Sequence, residues 1–260
     1  MKFPCMYIIG ILALTAEHSE SAVAKDQLTS IIINNTNWPP ILYENTEKVA
    51  IGFGKEIIEI CVKESGYDPD FKPISIKRMY NSMKMGSSDI NIFSHKDERD
   101  EFVYYSKEPL FKAQYKPFVR KTSKITINKI EDFDQLRLGH LSGIKYSPKF
   151  FEYIEKRKAA GTLEEVDTDN LNLKKLLADR IDVFVATEAS TKWFANRRGL
   201  LGHIKALDYV VKSSDYFIAV SKKTTRIKDP KNFLNKMDTC FKKLKSDGTY
   251  KKIQKQYGLL

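Results

Sequence analysis

Twice along this chain, apolar or β-branched runs alternate with helical stretches, and this alternation constrains the fold more than any single motif does. In the first series "LTSIIINN" (28–35) reads as a buried strand. "GKEIIEICVKESG" (54–66) reads as a helix with Ile57, Ile58, Cys61 and Val62 on one face and Gly66 at its end. "FKPISI" (71–76) is a second strand, "KRMYNSMKMG" (77–86) a short helix closed by Gly86, and "DINIFS" (89–94) a third strand. Between the first strand and helix, "NWPPILY" (37–43) carries two prolines and must be loop. "VYYS" and "YKPFVRK" then continue in extended form.

A second series follows. "LRLGHLSG" (136–143) is a strand with a glycine-bounded turn, "SPKFFEYIEKRKAAG" (147–161) a helix with Pro148 in its first turn, and "TLEEVDT" (162–168) a strand. "NLKKLLADR" (172–180) is a helix, "IDVFVAT" (181–187) a buried strand, "STKWFANRRG" (190–199) a helix and "YFIAVSK" (216–222) a strand. The tail (229–258) reads as a helix pair broken at Asp247–Gly248. The class is therefore α/β, and two such series point to two similar lobes rather than one sheet. A chain of 260 residues is long enough to give each lobe a core.

The N-terminus has the pattern of a signal peptide. Lys2 precedes an apolar run from Phe3 to Ala16, and "AVA" at Ala22–Ala24 supplies small residues for a cut after Ala24. The run is shorter than the roughly 20 apolar residues a membrane anchor needs. The mature chain is expected to be exported, periplasmic and soluble. Cys5 goes with the signal, which leaves Cys61 and Cys240 either to pair in an oxidising compartment or to stay as two buried thiols.

Forty-four basic against 33 acidic residues give a net charge of +11, which favours anionic partners. Nucleic acid is not expected among them, because the lysines are dispersed and no zinc-finger, RNP or basic-zipper pattern occurs. The chain lacks GxSxG, P-loop and GxGxxG motifs, and it has no CxxC or Cys/His cluster. No catalytic residue, cofactor or metal is expected.

One segment stands apart. In "IFSHKDERDEFVYYS" (92–106) the stretch Lys96–Glu101 is charged throughout, and it sits between an apolar run and an aromatic one. Arg99 is either part of a solvated turn or aimed at a ligand.

Several stretches, in order, resemble the type II periplasmic solute-binding proteins of the amino-acid type, family 3 of the ABC-importer binding proteins. "NWPPILYEN" is similar to the family's aromatic-proline loop. "IGFGKEIIEICVKESGY" and "KRMYNSMKMGSSDI" resemble its first two helical segments, and "SHKDERDEFVYYS" resembles its S-x-T-x-x-R segment. "LGHLSGIKYSPKF", "NLKKLLADRIDVFVATEAS", "YFIAVSKKT" and "LKKLKSDGTYKKI" match later segments in turn, so the resemblance covers nearly all of residues 28–257.

The resemblance implies a two-lobed fold in which each lobe is a central sheet flanked by helices, with a ligand cleft between them. Lobe one would be residues 25–112 plus 213–260 and lobe two 113–212, with crossing strands near Lys112 and Ser213 as the hinge. It implies that Arg99 grips a ligand carboxylate with its planar fork, beside Ser94. Such an arginine, on a cleft wall, is expected to matter little to fold stability. Trp38 would cover the ligand or anchor its loop in the core, and Tyr43 on the same loop would line the cleft. Arg78 would reach the same anionic group or stay solvated. In lobe two the implied ligand residues are Gly143, Lys145, Thr187 and Glu188.

This chain departs from the pattern at three places. Lys96 replaces the usual threonine three residues before the arginine, Ile144 and Lys145 replace hydroxyl residues after Gly143, and Thr187 aligns with the aspartate that takes a ligand's ammonium. The resemblance thus implies carboxylate capture more firmly than ammonium capture. The expected partners are a small anionic or zwitterionic molecule and an ABC permease, with the protein a monomer. Two rivals share the fold: a cyclohexadienyl dehydratase-like enzyme using Glu188 as its acid, and a stand-alone sensory receptor. Turnover of prephenate or arogenate separates the first, and neighbouring permease and ATPase genes separate the second.

Overall fold

The computed structural model describes Met1, residues 28–144 and residues 146–259. The expected signal peptide, after Met1, and Lys145 fall outside the described residues.

Strand β1 (Thr29–Asn35) leads through β2 (Tyr43–Glu44) and β3 (Ala50–Ile51) into helix α1 (Phe53–Glu64). Then come β4 (Tyr67–Pro73), α2 (Ile76–Met85), β5 (Ile90–Ser94) and β6 (Val103–Tyr105). Gly86 ends α2 at φ 73°, a left-handed conformation that glycine adopts without strain. The long strand β7 (Phe111–Arg120) carries the chain into β8 (Leu138–Leu141), α3 (Pro148–Ala159), β9 (Leu163–Val166), α4 (Asp169–Leu177), β10 (Val183–Thr187), α5 (Glu188–Arg197) and β11 (Ile204–Ala206). A second long strand, β12 (Lys212–Ser221), brings it back to α6 (Pro230–Ser246) and α7 (Thr249–Gln256).

The fold is a two-lobed mixed α/β architecture around a curled sheet of ten strands, ordered β4-β1-β5-β12-β7-β10-β8-β9, with β6 on β12 and β11 on β7. Apolar side chains collect in separate clusters. One joins Ile31, Phe53, Ile57 and Ile90 to Tyr216, Ile218, Met237 and Phe241. The other side of this lobe packs Met83, Phe93 and Val103 on Ala219. The second lobe has two clusters, one around Phe133, Phe150 and Val183, the other around Phe118, Leu176 and Phe184. Among the described residues, β7 and β12 carry the chain between the lobes, and they pair antiparallel from Lys212–Tyr115 to Tyr216–Phe111. The two halves of the ten-stranded sheet therefore meet at this pair of strands.

Several elements differ from their sequence-based bounds, and three show why. The expected strand 71–76 is β4, which begins at Tyr67 and holds Pro69 and Pro73. It is the outermost strand and pairs only with β1, so its other edge has no ladder bonds for proline to remove. Helix α4 starts at Asp169, three residues early, because its first turn is polar and carries no apolar period. Strand β12 starts at Lys212 rather than Tyr216, since Lys212–Asp215 pair with β7 without a buried apolar face to announce them.

Cys61 of α1 and Cys240 of α6 form a disulfide, with Cα atoms 5.6 Å apart. Of the two readings open to the sequence, the bridge holds. Among the described residues no helix is long and apolar enough to cross a membrane.

Candidate functional site

A cavity of about 660 Å³ lies where the lobes meet the crossing strands. The first lobe contributes Trp38, Tyr80, Ser94, Lys96 and Arg99; the crossing strands contribute Tyr115, Lys212 and Tyr216; the second lobe contributes Gly143, Tyr146, Thr187 and Ser190.

Arg99 ends a single 3-10 turn, Asp97–Arg99, that folds the charged segment back toward the end of β5. Its backbone N–H bonds to Lys96 O at 2.9 Å. Its guanidinium donates through Nη1 to the Ser94 carbonyl and through Nη2 to the Tyr80 hydroxyl. It lies over two rings, 4.6 Å from the Phe93 centroid and 5.2 Å from that of Tyr80. The side chain is only 6% exposed, and its Nε is buried without an acceptor among the described residues. No described carboxylate forms an ion pair with it. A planar, permanently charged group that is packed against aromatic rings and holds unused N–H donors is suited to a carboxylate.

Trp38 follows β1 and is held in place by other aromatics, edge-on to Phe111 at 5.1 Å and Tyr216 at 4.8 Å. Its indole N–H donates to Ser190 Oγ at 3.1 Å, and that hydroxyl donates to Pro39 O at 2.6 Å. Ser190 lies on α5, so the loop after β1 is tied to the opposite lobe. Trp38 is thus both a packed anchor and a wall of the cavity.

Lys212 opens β12 and faces the cavity over the Tyr115 ring, 5.5 Å from its centroid. Burial first, and then the charges of Lys96 and Arg99, push its ammonium down to about 8. Lys84 completes the cationic lining. The acidic lining is Glu98 and Asp167, both exposed, with Glu98 Oε1 3.9 Å from Lys96 Nζ. Four cations against two carboxylates make the cavity attractive to anions.

A family model for the bacterial extracellular solute-binding proteins, family 3, matches residues 31–259. The chain belongs to that family. A comparison with curated protein sequences finds no match. Among solved structures, this solute-binding protein resembles a substrate-binding protein of an ABC uptake transporter from Streptococcus pneumoniae with bound histidine. The TM-score is 0.72 at 20% identity, over 88% of this chain and 92% of that one. It also resembles an ancestral arginine-binding protein bound to arginine, at TM-score 0.70 and 22% identity, over 88% and 98% of the two chains. A third is an ancestral amino-acid-binding protein described as a precursor of cyclohexadienyl dehydratase. There the TM-score is 0.66 at 18% identity, over 88% and 95%. At these identities the likeness is one of fold.

In this solute-binding protein the structure brings Arg99, Ser94, Trp38, Gly143 and Thr187 to one cavity. Three other candidates do not line it. Tyr43 is 7% exposed and turns its ring against Trp193, 5.0 Å away, because the prolines bend the loop after Trp38. Arg78 is on an exposed face of α2 and donates to Ser75 Oγ at 3.3 Å. Glu188 is the first residue of α5 and pairs with Lys116 at 2.9 Å and Lys192 at 2.6 Å. Burial pushes its carboxyl up, but hydrogen bonds from Lys192 and Lys116 outweigh that and hold it below the usual range. Lys145 lies outside the described residues.

Sequence reasoning missed Tyr80 and Lys212. Tyr80 sits on α2 where its hydroxyl meets Arg99, and its helical position opposite the charged segment was a usable signal. Lys212 had none, since a single lysine in a chain with 44 basic residues carries no pattern. A group of possible metal ligands, His95, Asp97 and Asp100, lies on the turn before Arg99 with all three side chains exposed. His95 Nε2 is already paired with Asp100 at 3.2 Å.

Proposed function

We propose that this protein is exported and captures a small carboxylate-bearing ligand, an amino acid or a related small anion, between its lobes for delivery to an ABC-type importer. Lobe one comprises residues 25–112 and 213–260, lobe two 113–212, and β7 with β12 forms the hinge. Arg99 receives the carboxylate with Ser94 beside it, Trp38 covers the ligand, and Gly143 and Thr187 approach from lobe two. The protein acts as a monomer without cofactor or metal.

The observation that carries this reading is Arg99, buried at the cavity wall, packed against the stacked rings of Phe93 and Tyr80, and unpaired with any described carboxylate. The separate cores of the two lobes, between which the chain passes along β7 and β12, support a hinge between them. A disulfide supports an oxidising compartment. The enzyme reading needs an acid over the substrate, and Glu188 is engaged by two lysines away from the cavity. That geometry favours binding over turnover.

A thermal-shift screen of amino acids, dicarboxylates and small anions tests the proposal. A true ligand at about 1,000 times its Kd adds roughly 4 kcal/mol of stability. With that ligand saturating, small-angle scattering should record a smaller radius of gyration, because closure is driven by tighter binding to the closed form. An unchanged radius would argue for a rigid or already closed cleft. Export has its own test. Mass spectrometry of the protein from the cell envelope should find Lys25 at the N-terminus, and an intact Met1 on folded cytoplasmic protein would refute the cut after Ala24.

A further inference from the structure

We infer that the ligand is a small acid with two anionic groups and no ammonium, one anionic group held by Arg99 and the other by Lys212 with Lys96. The inference rests on the reading of this cavity as a capture site and narrows what it captures.

Three cations from two elements converge on one cavity: Arg99 and Lys96 from the turn after β5, and Lys212 from the crossing strand β12. They are close enough that Lys96 and Arg99 both act on the Lys212 ammonium. Gathering like charges in a partly buried space costs free energy that one bound carboxylate offsets only in part. A ligand with two separated anionic groups offsets it at both ends.

The same walls are poorly equipped for an ammonium. A buried ammonium needs a counter-charge or a full set of acceptors. At the junction of β10 and α5, Thr187 offers only a hydroxyl, 5% exposed and without a hydrogen-bond partner among the described residues. The next residue, Glu188, is held by Lys116 and Lys192 and does not line the cavity. Neither of the acids that do line it, Glu98 and Asp167, is buried. An α-amino acid would therefore bring a further positive charge beside Arg99, Lys96 and Lys212, with no buried carboxylate among the described lining residues to meet it.

The test is calorimetry on the folded full-length mature protein with matched probes. Succinate, glutarate and adipate are compared with aspartate, glutamate and 2-aminoadipate, which differ by the amino group, and with butyrate, which lacks the second carboxylate. At least one dicarboxylate is expected to bind about 30-fold or more tightly than both its amino counterpart and butyrate. Lys212→Met should reduce the preference for that dicarboxylate over butyrate by a similar factor, and Lys212→Arg should restore most of it. A thermal melt checks that each variant is folded. If an α-amino acid binds more tightly than every dicarboxylate, and Arg99→Ala abolishes that binding, the inference falls while the capture reading stands. If a dicarboxylate binds best but Lys212→Met leaves its preference intact, the assignment of Lys212 falls. If no probe binds to cooperatively melting protein, both the inference and the capture reading are overturned.

Discussion

Arg99→Ala is expected to weaken binding of a carboxylate ligand by about 30-fold to several thousand-fold, the range for removing one partner of a desolvated charge pair. Two effects add. The ligand carboxylate loses its charge-assisted donors, and the hydrogen-bonded end of the cavity loses the group that organises it. Arg99→Lys should also bind poorly, because a point charge cannot donate in parallel from a plane. Calorimetry with a ligand found by the thermal-shift screen decides the matter, and parental affinity in Arg99→Ala would remove Arg99 from the site. The structure also changes the expectation for stability. An arginine on a cleft wall looked dispensable to the fold, but Arg99 is 6% exposed and donates to the Ser94 carbonyl and the Tyr80 hydroxyl. Alanine leaves the buried Ser94 carbonyl short of a strong donor, so a loss of about 1–3 kcal/mol without ligand should accompany the loss of binding. A urea melt of the unliganded variant measures this separately.

Removing the disulfide should have the second large effect. Cys61 and Cys240 are 179 residues apart in sequence, so the bridge restricts a long loop in the unfolded chain. The loop-entropy model sets the contribution near 5 kcal/mol for such a loop, and measured losses for native bridges run to about 2–5 kcal/mol. Both cysteines are buried against the first-lobe core, at 0% and 3% exposure, so alanine replacements avoid placing a hydroxyl there. A Cys61→Ala/Cys240→Ala protein is expected to unfold at markedly lower denaturant, while ligand affinity, measured well below its melting temperature, stays close to that of the parent. Neither cysteine lines the ligand cavity. An unchanged denaturant midpoint would mean that the bridge adds nothing to this fold.

Much of the architecture was readable because the two lobes bury their sheets. Runs such as Ile31–Ile33 and Val183–Val185 are apolar because both faces of those strands are covered, and helices such as α1 show a clean period because one face meets the core. The signal fades where burial is partial. β4 lies on an edge and tolerates two prolines, and the start of β12 bridges the lobes with polar residues. The site divides in the same way. Arg99 stood out because six charged residues in a row between apolar segments are unusual in themselves. Tyr43 was misplaced because proximity to Trp38 in sequence says nothing about which way a proline-bent loop turns its rings. Lys212 depends on elements meeting across a long stretch of chain, and only the folded arrangement contains that information.

The route of the chain also has a consequence for how it is made. The second-lobe clusters draw on one unbroken stretch, from Tyr115 to Val211, so that part can begin to pack as soon as it has been synthesised. The largest first-lobe cluster cannot. Ile31, Phe53 and Ile57 wait for Tyr216, Ile218, Phe233 and Phe241, which arrive last. Until then α1 packs on the early strands but lacks its α6 partner, and the Cys61 thiol has no native partner. The lobe that is first in sequence is therefore the last to be completed, and the interval is when this chain has most need of protection from aggregation and from wrong thiol pairing.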